Sequence, residues 1–158
     1  MMKQKVVAGV LALAALCATQ WIHAADTGPV VKRPSANERI DAARTAITAK
    51  DWKKALAELN VAVREEPRNA DVHNLLGYSY RKQASPDLPK AFEHYKTALA
   101  LNPKHKGAHE YIGEAYLMDK KPLEAEKHLA ELEKLCGNKT CEEYADLAKA
   151  LADYKARN

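Results

Sequence analysis

The sequence predicts an all-α protein, an α-solenoid of three helical hairpins closed by one further helix, about seven helices in all. Three observations lead to this fold class. The 158 residues have room for one domain, and with only six glycines and one phenylalanine they favour helix over sheet. Small residues recur between apolar positions at a spacing of about 36 residues. The last segment, 140–156, has an amphipathic helical pattern of its own.

Residues 70–105 define the repeating unit. Gly77 lies in its first predicted helix, Ala91 and Ala98 lie in its second, and Pro103 closes it. A residue with little side chain at a helix crossing lets two backbones approach, while large apolar neighbours fill the flanks. We therefore expect these small residues to lie where helices cross.

The same pattern recurs on both sides of this unit. Pro67 lies 36 residues before Pro103, which defines an earlier unit, 36–69, and a later one, 106–138. Leu132 replaces the third small residue of the last unit, and its bulk suits contact with a terminal helix better than with another repeat. The other small positions of the two flanking units are Ala43, Ala55, Ala62, Gly113 and Ala125.

Capping residues and prolines predict the helix boundaries. Ser35 with Glu38 forms a capping box, Asp51 caps the next helix, and Pro89 fits the first turn of a later one. The two extra residues of the middle unit fall in its turn, 85–89, where an insertion disturbs least. The predicted helices of the three units are 35–49, 52–65, 70–84, 88–101, 104–118 and 122–135.

The final helix is predicted over 140–156. Thr140 and Glu143 form a second capping-box pattern at its start. Its apolar positions recur at helical spacing and its other face is charged, as expected of the polar-backed helix that ends a solenoid. The apolar residues are Tyr144, Leu147, Leu151 and Tyr154.

Together these residues resemble the tetratricopeptide repeat (TPR) family, whose unit is a pair of antiparallel helices of about 34 residues. The resemblance implies a domain over 35–158 that is a binding scaffold. Because no catalytic or cofactor-binding motif is recognisable, we expect neither an enzyme nor a bound cofactor. In that family the first helices of the repeats line a concave groove that holds an extended segment or helix of a partner. The groove-facing positions fall here on Asp41, Arg44, Asn74, Tyr78, Arg81, Lys82, Glu110, Tyr111 and Glu114. For each of them the alternative is a charged helix face that contacts only water.

One known mode of TPR binding is absent. TPR domains that hold the acidic carboxyl terminus of cytosolic chaperones resemble one another in lysine, asparagine and arginine at five groove positions. Those positions hold Ile40, Arg44, Leu75, Gly107 and Tyr111 in this sequence. We therefore expect a different partner, and three units suit a short segment of it.

Residues 1–25 predict a signal peptide. Lys3 and Lys5 precede an uninterrupted apolar run, 6–18, and small residues follow a short polar stretch. Thirteen apolar residues are few for a bilayer span, so we expect cleavage and no permanent membrane span, with a membrane anchor as the alternative. The expected cleavage is after Ala24 or Ala25.

A lipoprotein signal ending at Cys17 is another alternative, although Leu16 occupies a position where such signals resemble one another in a small residue. The next segment, 26–34, holds two prolines and a glycine and predicts a flexible leader. The expected location is the periplasm of a Gram-negative-type cell, or secretion from the cell.

Cys136 and Cys141 flank the turn before the last helix. In an exported protein we expect a disulfide between two cysteines so close in sequence. A redox-active pair, part of a metal site and free thiols stay open as alternatives.

Four histidines lie at matching places in successive units, His73 with His109 and His94 with His128. We expect partial burial of the first pair, with metal binding as the alternative. No H-E-x-x-H pattern is present, and no nucleophile elbow or phosphate loop is recognisable.

The expected function is a periplasmic protein-interaction scaffold. The formal charge of +4 is spread along the chain and forms no basic stripe, so we expect no nucleic-acid partner. One alternative is a small periplasmic protein that handles metal or redox equivalents with its cysteines or histidines. Another is an accessory subunit of an envelope enzyme complex.

Overall fold

The computed structural model describes residues 33–158, which form seven helices and no strand. The predicted all-α fold class is confirmed over that range. The predicted signal peptide, its cleavage site and most of the leader lie outside the described residues. The helices are α1 (Ala36–Thr48), α2 (Trp52–Glu65), α3 (Ala70–Lys82), α4 (Leu88–Leu101), α5 (Lys106–Met118), α6 (Pro122–Cys136) and α7 (Glu142–Arg157). None of these helices combines the length and the apolar character needed to cross a membrane.

Neighbouring helices pair into three hairpins, α1 with α2, α3 with α4 and α5 with α6. The hairpins stack through α2 against α3 and α4 against α5, and α7 packs on both α5 and α6. Because α1 also touches α3 and α3 touches α5, the first helices of the three hairpins lie side by side. The faces of α1, α3 and α5 that point away from α2, α4 and α6 therefore form one continuous surface, which we call the concave groove.

The apolar core runs through all three hairpins. Tyr95 of α4 is fully buried, and it packs against Gly77 of α3 and Ile112 of α5. Leu132 is buried with Leu147 and other apolar residues of α5, α6 and α7. The terminal helix therefore covers the apolar face that the last hairpin would otherwise leave in water.

Small residues occupy the closest helix contacts. A Cβ atom on Gly77 would lie 2.6 Å from two ring carbons of Tyr95, and one on Gly113 would lie 2.6 Å from a methyl of Leu147. Both distances are shorter than any van der Waals contact between carbon atoms. The six alanines at the other small positions are fully buried: Ala43, Ala55, Ala62, Ala91, Ala98 and Ala125.

The predicted capping box at Thr140 and Glu143 is wrong. α7 begins at Glu142, and its N-cap residue is Cys141, whose side chain makes no capping hydrogen bond. Thr140 instead donates from both its backbone N–H and its hydroxyl to Oδ1 of Asn138. The turn after α6 thus holds Thr140 away from the helix terminus.

The first helix of the third unit also begins later than predicted, at Lys106 rather than at residue 104. His105 is its N-cap, because the Nδ1 atom of His105 accepts a hydrogen bond from the backbone N–H of Ala108.

Two of the tight turns require a left-handed backbone. Lys50, between α1 and α2, and Lys120, between α5 and α6, both have φ of 57°. This region disfavours residues that carry a Cβ. The equivalent turn of the middle hairpin is longer and has no such residue.

Candidate functional site

An arginine lies at the centre of the concave groove among aromatic rings. Arg81 is only 5% exposed and forms an ion pair with Glu114. Its Nε donates to the hydroxyl of Tyr95 at 3.3 Å. Its guanidinium lies 5.4 Å from the ring centre of Tyr78 and 5.6 Å from that of Tyr111. Arg81 therefore joins α3, α4 and α5 at one point.

Two tyrosine rings line the groove beside this arginine. The ring centres of Tyr78 and Tyr111 are 4.7 Å apart. Burial raises the pKa of Tyr111 to about 12, and burial also raises the pKa of Tyr78. Both hydroxyls consequently keep their protons at neutral pH and can donate hydrogen bonds to a bound chain.

Three cavities open along the groove. One of about 260 Å³ lies between α1, α3 and α5 and is lined by Arg44, Ile47, Thr48, Leu75, Tyr78 and Tyr111. Another of about 570 Å³ extends from Tyr78 to Trp52, whose ring centre is 6.1 Å from that of the tyrosine. The third, of about 350 Å³, lies between α3, α5 and α7. A chain bound in the groove would meet both apolar and charged surface.

α7 contributes to the third cavity, which the sequence did not predict. Its lining includes Tyr154 and Arg157 of α7 together with Met118 of α5, which is 45% exposed. Trp52 of α2 is another of the lining residues that sequence reasoning missed. A large aromatic residue at the start of a second helix is a signal that could have found it.

The structure brings most of the predicted groove residues together. Arg44, Tyr78, Arg81, Lys82, Tyr111 and Glu114 line the three cavities. Asp41 is exposed and lines none of the three. Asn74 and Glu110 are buried instead of lying open to solvent.

Glu110 is a carboxyl group with an unusual environment. It is 7% exposed, and within residues 33–158 it has neither an ion-pair partner nor a side-chain hydrogen bond. Burial, followed by the charges of Glu114, Asp146 and Glu143, raises the pKa of Glu110 to about 8, although Arg81 acts in the opposite direction. The group therefore carries a proton at neutral pH.

The histidines form two equivalent pairs. His73 Nδ1 lies 3.2 Å from His94 Nδ1, and its Nε2 lies 3.0 Å from the carbonyl oxygen of Pro67. In the neutral ring the Nε2–H donates to that carbonyl, which leaves Nδ1 of His73 to accept a hydrogen bond from Nδ1–H of His94. The ring of Tyr80 stacks on His94 with an interplanar angle of 3°.

The third unit repeats each of these contacts. His109 Nδ1 lies 2.9 Å from His128 Nδ1, and its Nε2 lies 3.0 Å from the carbonyl oxygen of Pro103. Tyr116 stacks on His128. No group of three metal-ligand atoms includes either pair in the part of the chain that the structure describes. Each pair is a hydrogen bond between the two helices of its hairpin.

The structure places the sulfurs of Cys136 and Cys141 2.03 Å apart, at the distance of a disulfide bond. Their sulfurs and a carboxylate oxygen of Glu143 lie within 4.8 Å of one another. Zinc and similar metals bind thiolates, and neither sulfur is a thiolate while the bond is intact. In the oxidised state this group offers a metal only one carboxylate.

No family model and no curated protein matches the chain in sequence. Solved structures match it at probability 1.00. The TPR domain of Sgt2 from Aspergillus fumigatus is 18% identical with a TM-score of 0.68 and covers 79% of this chain and 80% of that one. The first TPR domain of Spaghetti (RPAP3), solved with the HSP90 peptide SRMEEVD, is 17% identical with a TM-score of 0.67 and covers 82% and 99%.

A bacterial structure is equally similar. The type III secretion translocator chaperone SycD of Yersinia enterocolitica is 15% identical with a TM-score of 0.69 and covers 81% of this chain and 97% of that one. At such low identity these matches show the fold alone. Over residues 33–158 the chain is an all-α solenoid with the fold of TPR domains.

Proposed function

We propose that this protein is an exported interaction module that holds a short segment of a partner protein in its concave groove. The observation that carries this function is the cluster of Tyr78, Arg81 and Tyr111. Large rings fixed around a buried guanidinium give a bound chain rigid contact area and hydrogen-bond donors, as in the energetically dominant centres of known interfaces.

The structural neighbours support the same general function. One of them, Spaghetti, is solved with a peptide bound to its TPR domain. The positions that the chaperone-binding clamp needs are occupied here by residues of other types, such as Ile40 and Gly107. We therefore place the partner outside the group of cytosolic chaperones, which agrees with the proposed periplasmic location.

A library of random 12-residue peptides displayed on phage, selected against the purified protein, tests this function. We expect selected peptides to bind the wild-type protein and to lose about tenfold or more in affinity for Tyr78→Ala, because an aromatic hot-spot residue contributes about 2 kcal/mol.

A matched pair of lysine variants provides the control for position. Lys82 lies in the groove and its Nζ is 5.8 Å from the ring centre of Tyr78. Lys96 lies on α4, outside the groove cavities, and its Nζ is 5.9 Å from the ring centre of Phe92. Lys82→Ala is expected to change the affinity for the peptides and Lys96→Ala to leave it unaltered. Equal effects of the two changes would show that the groove is not the binding surface.

The location is tested separately by expressing the full chain in a Gram-negative host and sequencing the amino terminus of the protein found in the periplasm. We expect it to begin at Ala25 or Asp26. Retention of the uncleaved chain in the cytoplasm would contradict the proposed export.

A further inference from the structure

Carboxyl groups gather at the end of the concave groove, where α5 meets α7. Burial and neighbouring acids act together on Glu110, whose neighbours are Glu114 on its own helix and Glu143 and Asp146 on α7. Glu114 is paired with Arg81. Glu143 lies 3.9 Å from the Nζ of Lys106, at the limit of an ion pair. Negative charge therefore exceeds positive charge at this place.

One buried acceptor and one largely buried carboxyl group at this place have no hydrogen-bond or ion-pair partner within the described chain. Glu110 is more than nine-tenths buried and has no partner within the described chain. Asn74 is buried to the same degree, and its Oδ1 likewise has no donor there. The side chain of Asn74 lies against Gly107, 3.4 Å from where a Cβ of that glycine would be. Gly107 is one turn before Glu110 on the same face of α5.

A buried acceptor without a donor destabilises a fold, so the Oδ1 of Asn74, near the unpaired and largely buried carboxyl group of Glu110, points to a ligand that supplies hydrogen-bond donors. We propose that Glu110, Asn74, Glu143 and Asp146 form an acidic pocket for the ammonium or guanidinium group of a lysine or arginine side chain. That side chain belongs to the segment held in the concave groove, so this inference rests on the proposed function.

The chemistry of the pocket favours an organic cation over a metal ion. Ligand atoms of Glu110 and its acidic neighbours form no group of three within 4.8 Å in the described part of the chain. An ammonium or guanidinium group has several N–H donors and reaches separated acceptors, which a small metal ion cannot do. Arg81 does not fill this role, because Glu114 and Tyr95 already bond to it.

Proton release is a signature of this binding mode. Glu110, with its pKa of about 8, is mostly protonated at pH 7, and a cation bound beside it favours the carboxylate. Glu114, Glu143 and Asp146 face the group as negative charges and Arg81 as a positive one. Binding of the cation therefore releases a proton, and affinity increases by up to about tenfold per pH unit below that pKa.

The test uses the peptides selected on phage, synthesised with a fluorescein label and measured by fluorescence anisotropy at pH 6, 7 and 8. In each peptide every lysine is replaced in turn by norleucine and every arginine by citrulline. The proteins are wild type, Glu110→Gln and, as the matched control, Glu142→Gln, which changes an exposed acid at the start of α7. Thermal unfolding followed by circular dichroism checks that each variant is folded.

We expect one basic position in the peptides whose replacement weakens binding to the wild-type protein about tenfold or more at pH 8. The same replacement is expected to have little effect on binding to Glu110→Gln. Wild type and Glu142→Gln are expected to bind more tightly as the pH rises from 6 to 8, while Glu110→Gln shows no such increase.

Other results separate the two proposals. Peptides that need Tyr78 but bind equally well without their basic residues, or to Glu110→Gln, would overturn the acidic pocket and leave the proposed function in place. If no selected peptide depends on Tyr78, the proposed function fails and the pocket for a partner's side chain fails with it. Spermidine that binds as tightly as the peptides, and equally to Tyr78→Ala, would assign the pocket to free polyamines and overturn the peptide source.

Discussion

The contact between Gly77 and Tyr95 makes a quantitative prediction. In Gly77→Ala the new Cβ would lie 2.6 Å from Cδ1 and Cε1 of Tyr95 and 3.0 Å from Cγ. The ring is fully buried and its hydroxyl accepts a hydrogen bond from Arg81, so it has little freedom to move aside. The methyl group can enter only if α3 and α4 separate.

The size of the effect follows from two opposing terms. Inserting a methyl group into a packed core costs about 1–3 kcal/mol, and the upper end applies because three atoms of a fixed ring are involved. Replacing glycine by alanine inside a helix raises the free energy of unfolding by about 1 kcal/mol, because alanine has the higher helix propensity. We expect Gly77→Ala to lower the free energy of unfolding by about 2 kcal/mol, or to lower Tm by about 8 °C at about 4 °C per kcal/mol.

Two other glycines of the same hairpin stack serve as comparisons. For Gly107→Ala the nearest atom would be 3.4 Å away, an ordinary contact, and Gly107 lies in the first turn of α5, where the helix gain of alanine is smaller than in the interior. We therefore expect this variant to be as stable as wild type or more stable by up to about 1 kcal/mol. For Gly113→Ala the contacts at 2.6 and 2.8 Å are terminal methyls of Leu147. Because a flexible leucine can yield more than a fixed ring, we expect a loss of about 1 kcal/mol.

Urea unfolding followed by far-UV circular dichroism measures all three variants with one method. The order of stability is expected to be Gly107→Ala, then Gly113→Ala, then Gly77→Ala. If Gly77→Ala were as stable as Gly107→Ala, the close crossing of α3 and α4 and the reasoning based on it would be refuted.

Three further changes have defined outcomes. Replacing Cys136 and Cys141 by serine should lower the free energy of unfolding by about 2 kcal/mol in the chain-entropy picture, and reductant should lower that of wild type but not that of the variant, as urea unfolding can show. Burial, and then the nearby His109, lower the pKa of His128 to about 4 from the usual 6.5. The unfolded chain therefore gains a proton from pH 6.5 downward while this ring stays neutral, so stability present above pH 6.5 is lost as the pH falls towards 4. Because this ring is only half-buried and is screened by solvent, we expect the free energy of unfolding to fall by about 1 kcal/mol over that range. The difference in unfolding free energy between wild type and His128→Gln, measured from pH 7.5 to 4, isolates the contribution of His128 from those of other titrating groups. Wild type is expected to lose more stability than the variant over this range, and parallel profiles would contradict the prediction. Lys120→Gly should stabilise the protein by up to about 1 kcal/mol, since glycine adopts φ of 57° without strain, and a lower Tm would show that the lysine side chain matters more than its backbone.

The fold could be predicted from the sequence because its signals are local and recur. Prolines such as Pro67 and Pro103 end helices at equal intervals, and small residues such as Gly77 mark the crossings between them. The start of α7 could not be predicted in the same way. Thr140 has the right type and spacing for a cap, but Asn138 accepts its hydrogen bonds in the turn.

Much less of the candidate site was predictable. The burial of Glu110 depends on how α7 lies against α5, and no local pattern specifies that arrangement. The hydrogen bond between His73 and His94 depends on the rotation of two helices about their axes. One signal was present for these histidines: Tyr80 and Tyr116, which stack on the second ring of each pair, recur 36 residues apart, as do His73 and His109.

The duplicated histidine contacts give the molecule an internal replicate. His94 and His128 have equivalent partners in two hairpins. His128 lies in the last hairpin, on which α7 packs, and His94 lies in the middle hairpin. An identical substitution of the two histidines, for example to glutamine, removes the same hydrogen bond at two positions along the stack of hairpins. Any difference in the stability lost therefore measures how strongly each hairpin depends on its neighbours, which is the cooperativity of the array.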